Sequence, residues 1–393
     1  MMSLRRLLLV VTGLLSTTSS GLYASEKKDI LVAFEFKGSL LSFDVGVWES
    51  LYQHLDANKI GTTIFSGSSS GSVLTAFFAC NGLSAETIGR AKQLLPTFDP
   101  AIIAEDDPVK LIKIFSGQNV AQDVSALDKS MMAATNNGTC TPTHPFAIAA
   151  SNNEVLRDTK PGTYRPANSK TLNWDNLDVF SKASGERLGK ACTYFTNEAG
   201  AAYLLKVPAE RRLCDIRMVK TPADLILAVR ASVAEPTYFY PVKEPNPEAF
   251  VGIPAPANRE YQGGVIMQAI VQDFKLADPE ILTIASGGLY FVPMLNRFLK
   301  NTFLIDVNRR MLELNWWYDF KVEGSMDDFR KVPRRSAPVD TLIALGRKTF
   351  EDCFSNNKCH ARVALKPGKG AQGLDGTDLT PYTHRGISSI LKK

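Results

Sequence analysis

The sequence predicts an α/β fold built on a mostly parallel central sheet, and three features carry that expectation. Ile30-Leu31-Val32-Ala33-Phe34 is an uninterrupted apolar run of strand length, the pattern of a strand covered on both faces. A second strand of this buried kind is Ile281-Leu282-Thr283-Ile284-Ala285, apolar but for Thr283 and closed by Ser286-Gly287-Gly288. Between them, Gly67-Ser68-Ser69-Ser70-Gly71 stands where a β-branched and aromatic stretch changes to a helical one. Strand, tight glycine turn and helix in that order are how an α/β unit begins.

The first strand, Ile30 to Phe34, is followed by a helical stretch from Val45 to Leu55. Gly61-Thr62-Thr63-Ile64-Phe65-Ser66 reads as the next strand. After the pentad, Ser72 to Cys80 reads as a buried helix that stops at Asn81-Gly82, and a further helix runs from Ala85 to Leu95, before Pro96. The stretch from about 100 to 215 is less regular. Phe146-Ala147-Ile148-Ala149-Ala150 and Ala201-Ala202-Tyr203-Leu204-Leu205-Lys206-Val207 read as strands, and Asn136-Asn137-Gly138 and Lys160-Pro161-Gly162 as turns. Pro222 to Ala234 reads as a helix with proline in its first turn. Helical patterns return at Val292 to Asn301 and Val339 to Phe354, and the end, from about Lys366, reads as a loose tail. No internal repeat is present.

The formal charge is only +5, and Lys and Arg are scattered apart from short clusters such as Lys331-Val332-Pro333-Arg334-Arg335. No basic stripe interleaved with aromatics points to nucleic acid. At the N-terminus, Arg5-Arg6, the apolar run Leu7 to Leu15 and the small residues up to Ala24 have the three parts of a secretory signal, with cleavage expected after Ala24. The run is too short to span a bilayer. Export would place the chain in the periplasm or outside the cell and make disulfides accessible to the six cysteines. Cys353–Cys359 and Cys192–Cys214 are the favoured pairs. Cys80, on the apolar helix after the pentad, reads equally as a buried free thiol or a bridged one. No Cys/His spacing suggests zinc, and His54, His144, His360 and His384 form no ligand cluster, so no metal site is expected.

With the order strand, turn, helix and G-x-S-x-G established, the chain resembles the patatin-like phospholipase family. Two further stretches support the resemblance. Ala231-Ser232-Val233-Ala234-Glu235-Pro236-Thr237-Tyr238-Phe239-Tyr240-Pro241 is similar to the family's S-x-A-x-P-x-x-F-x-P segment. Tyr261-Gln262-Gly263-Gly264-Val265, ahead of the strand near Ile281, is similar to the family's D-G-G motif. The resemblance implies a three-layer patatin-like sandwich over about residues 28–300, with 301–393 a C-terminal helical extension and tail. It also implies a nucleophile elbow at Gly67 to Gly71, a Ser-Asp dyad with Ser69 as nucleophile, a Gly-rich oxyanion loop after the first strand, and no cofactor. The substrate would be a lipid or acyl ester, met at a membrane surface by a peripheral protein.

The chain departs from that pattern twice. Gln262 stands at the family's Asp position, and a carboxamide takes no proton near neutrality, although it could hydrogen-bond Ser69. The oxyanion loop falls on Phe36-Lys37-Gly38-Ser39-Leu40-Leu41, in which only Gly38 survives of the family's glycines. Side chains there obstruct close backbone approach to an oxyanion. The expectation is a hydrolase site that is weak or inactive. The alternative is an active esterase with an unrecognised base. Glu260 would face the same side as Gln262 but about 7 Å along the strand. Asp273 is a further nearby carboxylate, and Lys37 would act as in Ser-Lys catalysis. A Ser-His-Asp arrangement would instead need His360 or His384.

Overall fold

The computed structural model describes residues 27–34, 41–95, 128, 131–132, 134–152, 192–234, 240–252, 255, 258–263, 267–287, 302–306, 339–356 and 390–392. In chain order the elements are β1 (Lys28–Phe34), α1 (Leu41–His54), β2 (Ile60–Ser68), α2 (Gly71–Asn81), α3 (Ala85–Leu94), β3 (Phe146–Asn152), β4 (Cys192–Thr196), α4 (Glu198–Leu204), β5 (Asp215–Met218), α5 (Pro222–Val233), β6 (Val242–Lys243), β7 (Glu260–Gln262), α6 (Met267–Ala277), β8 (Leu282–Gly287), β9 (Thr302–Asp306) and α7 (Val339–Asn356). Among the described residues the strands form one sheet in the order β5-β4-β3-β2-β1-β8-β9. The run β3-β2-β1-β8-β9 is parallel throughout. β4 is antiparallel to β3 and parallel to β5, and the short β6–β7 ribbon pairs with the end of β3.

Alternate residues of each central strand enter two separate cores, so helices are required on both faces. Ile30, Val32, Phe34, Phe65, Phe146 and Ile148 pack with α1, α2, α3, α5 and α7. Leu31, Ala33, Ile64, Ala147 and Ala149 pack with α4 and α6. The result is an α/β arrangement of helix, mostly parallel sheet and helix, as the apolar strands predict. Phe78 seats α2 by stacking on both Phe34 and Phe65, with ring centroids 5.6 and 5.7 Å apart. Burying each such ring contributes about 1.5–3 kcal/mol.

Most elements fall where the sequence puts them. The exception is Ala201 to Val207, which reads as a strand but lies on α4 and its C-terminal turn. Apolar length alone cannot separate the two, and local capping decides. The Asn197 side chain accepts the Gly200 N–H at 3.0 Å, and the alanines that follow are strong helix formers. At α5, Thr221 and Asp224 make a reciprocal capping box around Pro222. Asn136, Asn137 and Gly138 all take positive φ, as expected of that turn.

The sheet continues past residue 300. β9 extends it beside β8, and α7 lies on α1. That crossing is close. A Cβ on Gly46 would strike the Ile343 carbonyl, and one on Gly346 the Phe43 carbonyl. Near the chain end, Asp56 N–H donates to the Ile390 carbonyl and Lys392 N–H to that of His54. The expected boundary at 300 therefore falls between two adjacent strands of one sheet, and part of the expected loose tail is hydrogen-bonded to the end of α1 and the connection from it to β2. Residues 1–24, expected to be a signal, Val292–Asn301, Lys160-Pro161-Gly162 and Cys359 lie outside the described residues. Cys192–Cys214 is a disulfide, as favoured, and Cys80 is bridged to Cys140. Their sequence separations of 60 and 22 residues correspond to about 3–4 kcal/mol each in the chain-entropy account.

Gly346→Ala should lower stability by about 1–3 kcal/mol through forced separation of α1 and α7. Gly89→Ala, on α3 where a Cβ meets nothing within 4 Å, should raise it by about 0.5–1 kcal/mol. Denaturant melts of both variants check the pair, and a neutral Gly346→Ala would contradict the close crossing.

A second expectation concerns His144, just before β3. Burial pushes its imidazole below the ordinary 6.5. Its ring lies edge-on to Phe65 at 6.0 Å. Between the lowered folded value and 6.5 the unfolded chain binds more protons, so stability falls as pH drops through that window. Melting temperature followed down to about pH 5 should decline more steeply for wild type than for His144→Gln. Parallel curves would refute the assignment.

Candidate functional site at the C-terminal edge of the sheet

β2 leaves the sheet at Ser68, and α2 begins at Gly71. Ser69 makes the turn with φ of 50°. The other non-glycine residues with positive φ among the described residues are Asn136 and Asn137, a residue type that tolerates this region. For serine the left-handed conformation costs about 1–2 kcal/mol, so its surroundings must hold it. Gly67 is required by crowding, because a Cβ there would strike the Gly71 carbonyl and the Thr75 hydroxyl. Inside the turn, Ser72 N–H donates to the Ser69 carbonyl at 2.9 Å. Ser69 itself is 7% exposed.

The second half of the site is fixed by β3. β2 pairs with β3 as far as Ser68 opposite Ala149. Beyond that point Ser151 is paired on one edge with Cys192 of β4 and on the other with Gln262 of β7. β7 therefore occupies the edge of β3 that β2 has just vacated. It runs antiparallel, so the chain from Tyr261 to Gly263 heads back towards the Ser69 turn. Ser151 N–H donates to the Gly263 carbonyl at 3.0 Å, and Gly263 takes φ of 42°. Residues nearly two hundred positions apart thus meet at one end of the sheet. The Gln262 side chain, Gly264 and the expected oxyanion residues Lys37, Gly38 and Ser39 lie outside the described residues.

A buried ion network anchors β7. Arg217, fully buried on β5, donates from Nε to Glu244 at 2.9 Å and pairs through Nη1 with Asp224 at 2.9 Å. The Tyr261 hydroxyl, one residue before Gln262, donates to the same Glu244 carboxylate. Both Arg217 and Tyr261 lean on the Phe195 ring. Burial, then Glu244, pushes the Tyr261 phenol far up, so it stays a neutral donor. Burial acts to raise the Asp224 pKa, but Thr221 and Arg217 outweigh it and hold the carboxyl below 3.8. Its stabilising contribution is present above about 3.8 and is lost as pH falls through the lower folded value.

The other candidates are dispersed. Asp273 on α6 is buried and accepts from the Tyr194 hydroxyl at 2.9 Å and Leu213 N–H at 3.0 Å, a bracing position. Glu260 is opposite Lys243 on the ribbon, beyond the last residue of β3 that β7 pairs with. His54 ends α1 near Glu351, and His144 precedes β3 at the end away from Ser69. His360 and His384 lie outside the described residues. No group of three His, Cys, Asp or Glu side chains among the described residues could hold a metal ion. Ser232, named in the sequence only as part of a motif, touches the turn directly. It accepts the Ser69 N–H at 2.8 Å. The network of Arg217, Glu244 and Tyr261 carried no sequence signal, since its members sit on two separate short strands, β5 and β7, and in the loop after β6.

The chain matches no protein-family model and no curated protein.

Replacing Arg217 with methionine would leave Glu244 buried without its cation, and breaking such a pair typically costs about 3–5 kcal/mol. Urea unfolding of Arg217→Met should show a loss of that size. A loss under about 1 kcal/mol, as for an exposed pair, would show that the network does not anchor the ribbon.

Proposed function

We propose that this chain is an exported, patatin-like protein of the serine lipid acyl hydrolase type, with a site too depleted for more than weak hydrolysis. The observation that carries the reading is Ser69 at φ of 50°, between a parallel strand and a helix, with the Gln262-Gly263 backbone returning to the same sheet edge. A strained non-glycine residue kept at the rim of a parallel sheet supports a functional turn, here a nucleophile elbow. Acyl transfer at Ser69 would need three things: a hydroxyl aimed at the ester carbonyl, an acceptor for its proton, and N–H donors around the developing oxyanion. The chain keeps the first. Gln262 replaces the acceptor, and Phe36 and Lys37 stand where bare backbone would donate. Each lost donor is worth about a hundred- to a thousandfold in rate. The two disulfides support passage through an oxidising compartment. No helix among the described residues is long and apolar enough to cross a membrane, and the substrate class proposed is a lipid or acyl ester taken from a membrane surface.

The test is hydrolysis of a short-chain nitrophenyl ester and a phospholipid, alongside labelling by a fluorophosphonate probe. Wild type should turn over at or near the level of Ser69→Ala. Gln262→Asp alone should not restore rate, whereas Gln262→Asp combined with Phe36→Gly and Lys37→Gly should give a strongly non-additive gain. Robust wild-type turnover that vanishes in Ser69→Ala would overturn the depleted-site reading and direct the search for a base to Glu260 or Lys37. No gain in the combined variant would overturn the patatin-like assignment.

A further inference from the structure

We infer that Ser232 is a positioning residue for Ser69, holding the strained turn through a hydroxyl relay to β3. The inference rests on the proposed role of Ser69 but draws on different contacts. Ser232 lies on α5, is fully buried, and places one oxygen between two backbone groups. Its Oγ accepts the Ser69 N–H at 2.8 Å and donates to the Ala149 carbonyl at 2.6 Å. Ala149 is the β3 residue opposite Ser68, the last residue of β2. Had β2 continued straight, the next N–H along it would have been the natural partner of that carbonyl in a parallel ladder. Ser69 turns away instead, and the hydroxyl spans the gap. A hydroxyl suits the place because it both accepts and donates. Alanine would leave an N–H and a carbonyl facing each other across a buried space, each lacking its partner.

The consequence is specific to one residue. Ser69 is the described serine with left-handed backbone, and its amide is tied by a side chain from a helix more than 160 residues away in sequence. Fixing that amide fixes where Cα and Cβ of Ser69 sit relative to the N-terminus of α2. With the relay removed, the turn could relax toward ordinary φ, which would swing the side chain off that axis. Arg217, Glu244 and Tyr261 hold the facing ribbon, and Ser232 does the equivalent for the turn.

The experiment avoids dependence on hydrolysis. In a Ser69→Cys background, alkylation of residue 69 by iodoacetamide is followed against pH, with peptide mass reporting the site. The thiol beside the α2 N-terminus should ionise below the ordinary value of about 8.5. Adding Ser232→Ala should slow alkylation near neutrality about tenfold and move the profile up by about one unit. Ser232→Thr, which keeps the hydroxyl, should restore it. In parallel, hydrogen exchange on the otherwise unaltered protein should show that Ser232→Ala deprotects the Ser69 amide at least about tenfold, with β1 and β8 amides unchanged. An unchanged thiol profile or an unchanged Ser69 amide in Ser232→Ala overturns the inference. So does uniform deprotection, which would make Ser232 ordinary core packing. If the threonine variant does not fold, the alanine variant's exchange pattern decides. Should wild-type Ser69 prove to have no acyl-transfer role, the thiol profile and the exchange pattern still report on the relay, so the two readings fail separately.

Discussion

Backbone polar groups at the C-terminal end of β3 must be satisfied after β2 departs, and that requirement organises this edge of the molecule. A buried N–H or carbonyl without a partner costs about 1–3 kcal/mol, so a strand inside a parallel sheet cannot lose a neighbour for free. β3 loses β2 at Ala149. Two different substitutes follow within three residues. The Ser232 hydroxyl takes the Ala149 carbonyl, and the Gly263 carbonyl takes the Ser151 N–H. Each substitute imports a distant piece of chain. The contacts that satisfy the edge are therefore also those that assemble the candidate site.

The imported ribbon is short, and a two- or three-residue pairing has little intrinsic stability. It is held by charge instead. Buried Arg217 and Glu244, with half-buried Asp224, form an ion group that the Tyr261 hydroxyl completes. Such a group adds little net stability over a well-packed apolar cluster, but it tolerates very little displacement of its members. Tyr261 belongs both to this group and to the pairing with Asn152, so the register of β7 is set at the residue before Gln262. A one-residue slip would bury a different side chain against Glu244 and turn the whole ribbon over.

The layers were legible in the sequence because apolar run length and the pentad are local signals. Ile30 to Phe34, Ile281 to Ala285 and the switch at Gly67 each state their own conformation. Ala201 to Val207 was misread because its decisive feature, the Asn197 cap, lies outside the apolar run. The edge of β3 was not legible, since pairing of Ser151 with Gln262 depends on register between segments more than a hundred residues apart. Ser232 shows the same gap from the other side. Its motif drew attention to it, but nothing local says that its hydroxyl reaches Ser69 and not solvent. A bridge at Cys80 was one of two open alternatives, and its partner Cys140 was not foreseen, for the same reason, as a bridge is a statement about distance in space.

The turn from Gly67 to Ser72 contains residues explained by packing or helix closure and one that is not. Gly67 is explained by the crowding of Gly71 and Thr75. Ser72, fully buried, closes the first turn of α2 through its own N–H. Position 69 is different. At φ of 50° glycine would avoid the left-handed penalty of about 1–2 kcal/mol, and the relay from Ser232 needs only the backbone N–H that glycine also has. Among the described residues, packing and hydrogen bonding at this turn are thus indifferent to the hydroxyl of residue 69, while conformational energy disfavours any side chain there. A side chain at a strained position on the rim of a parallel sheet, where among the described residues neither packing nor hydrogen bonding calls for its hydroxyl, is the physical ground for the proposed reading of Ser69 as a functional residue.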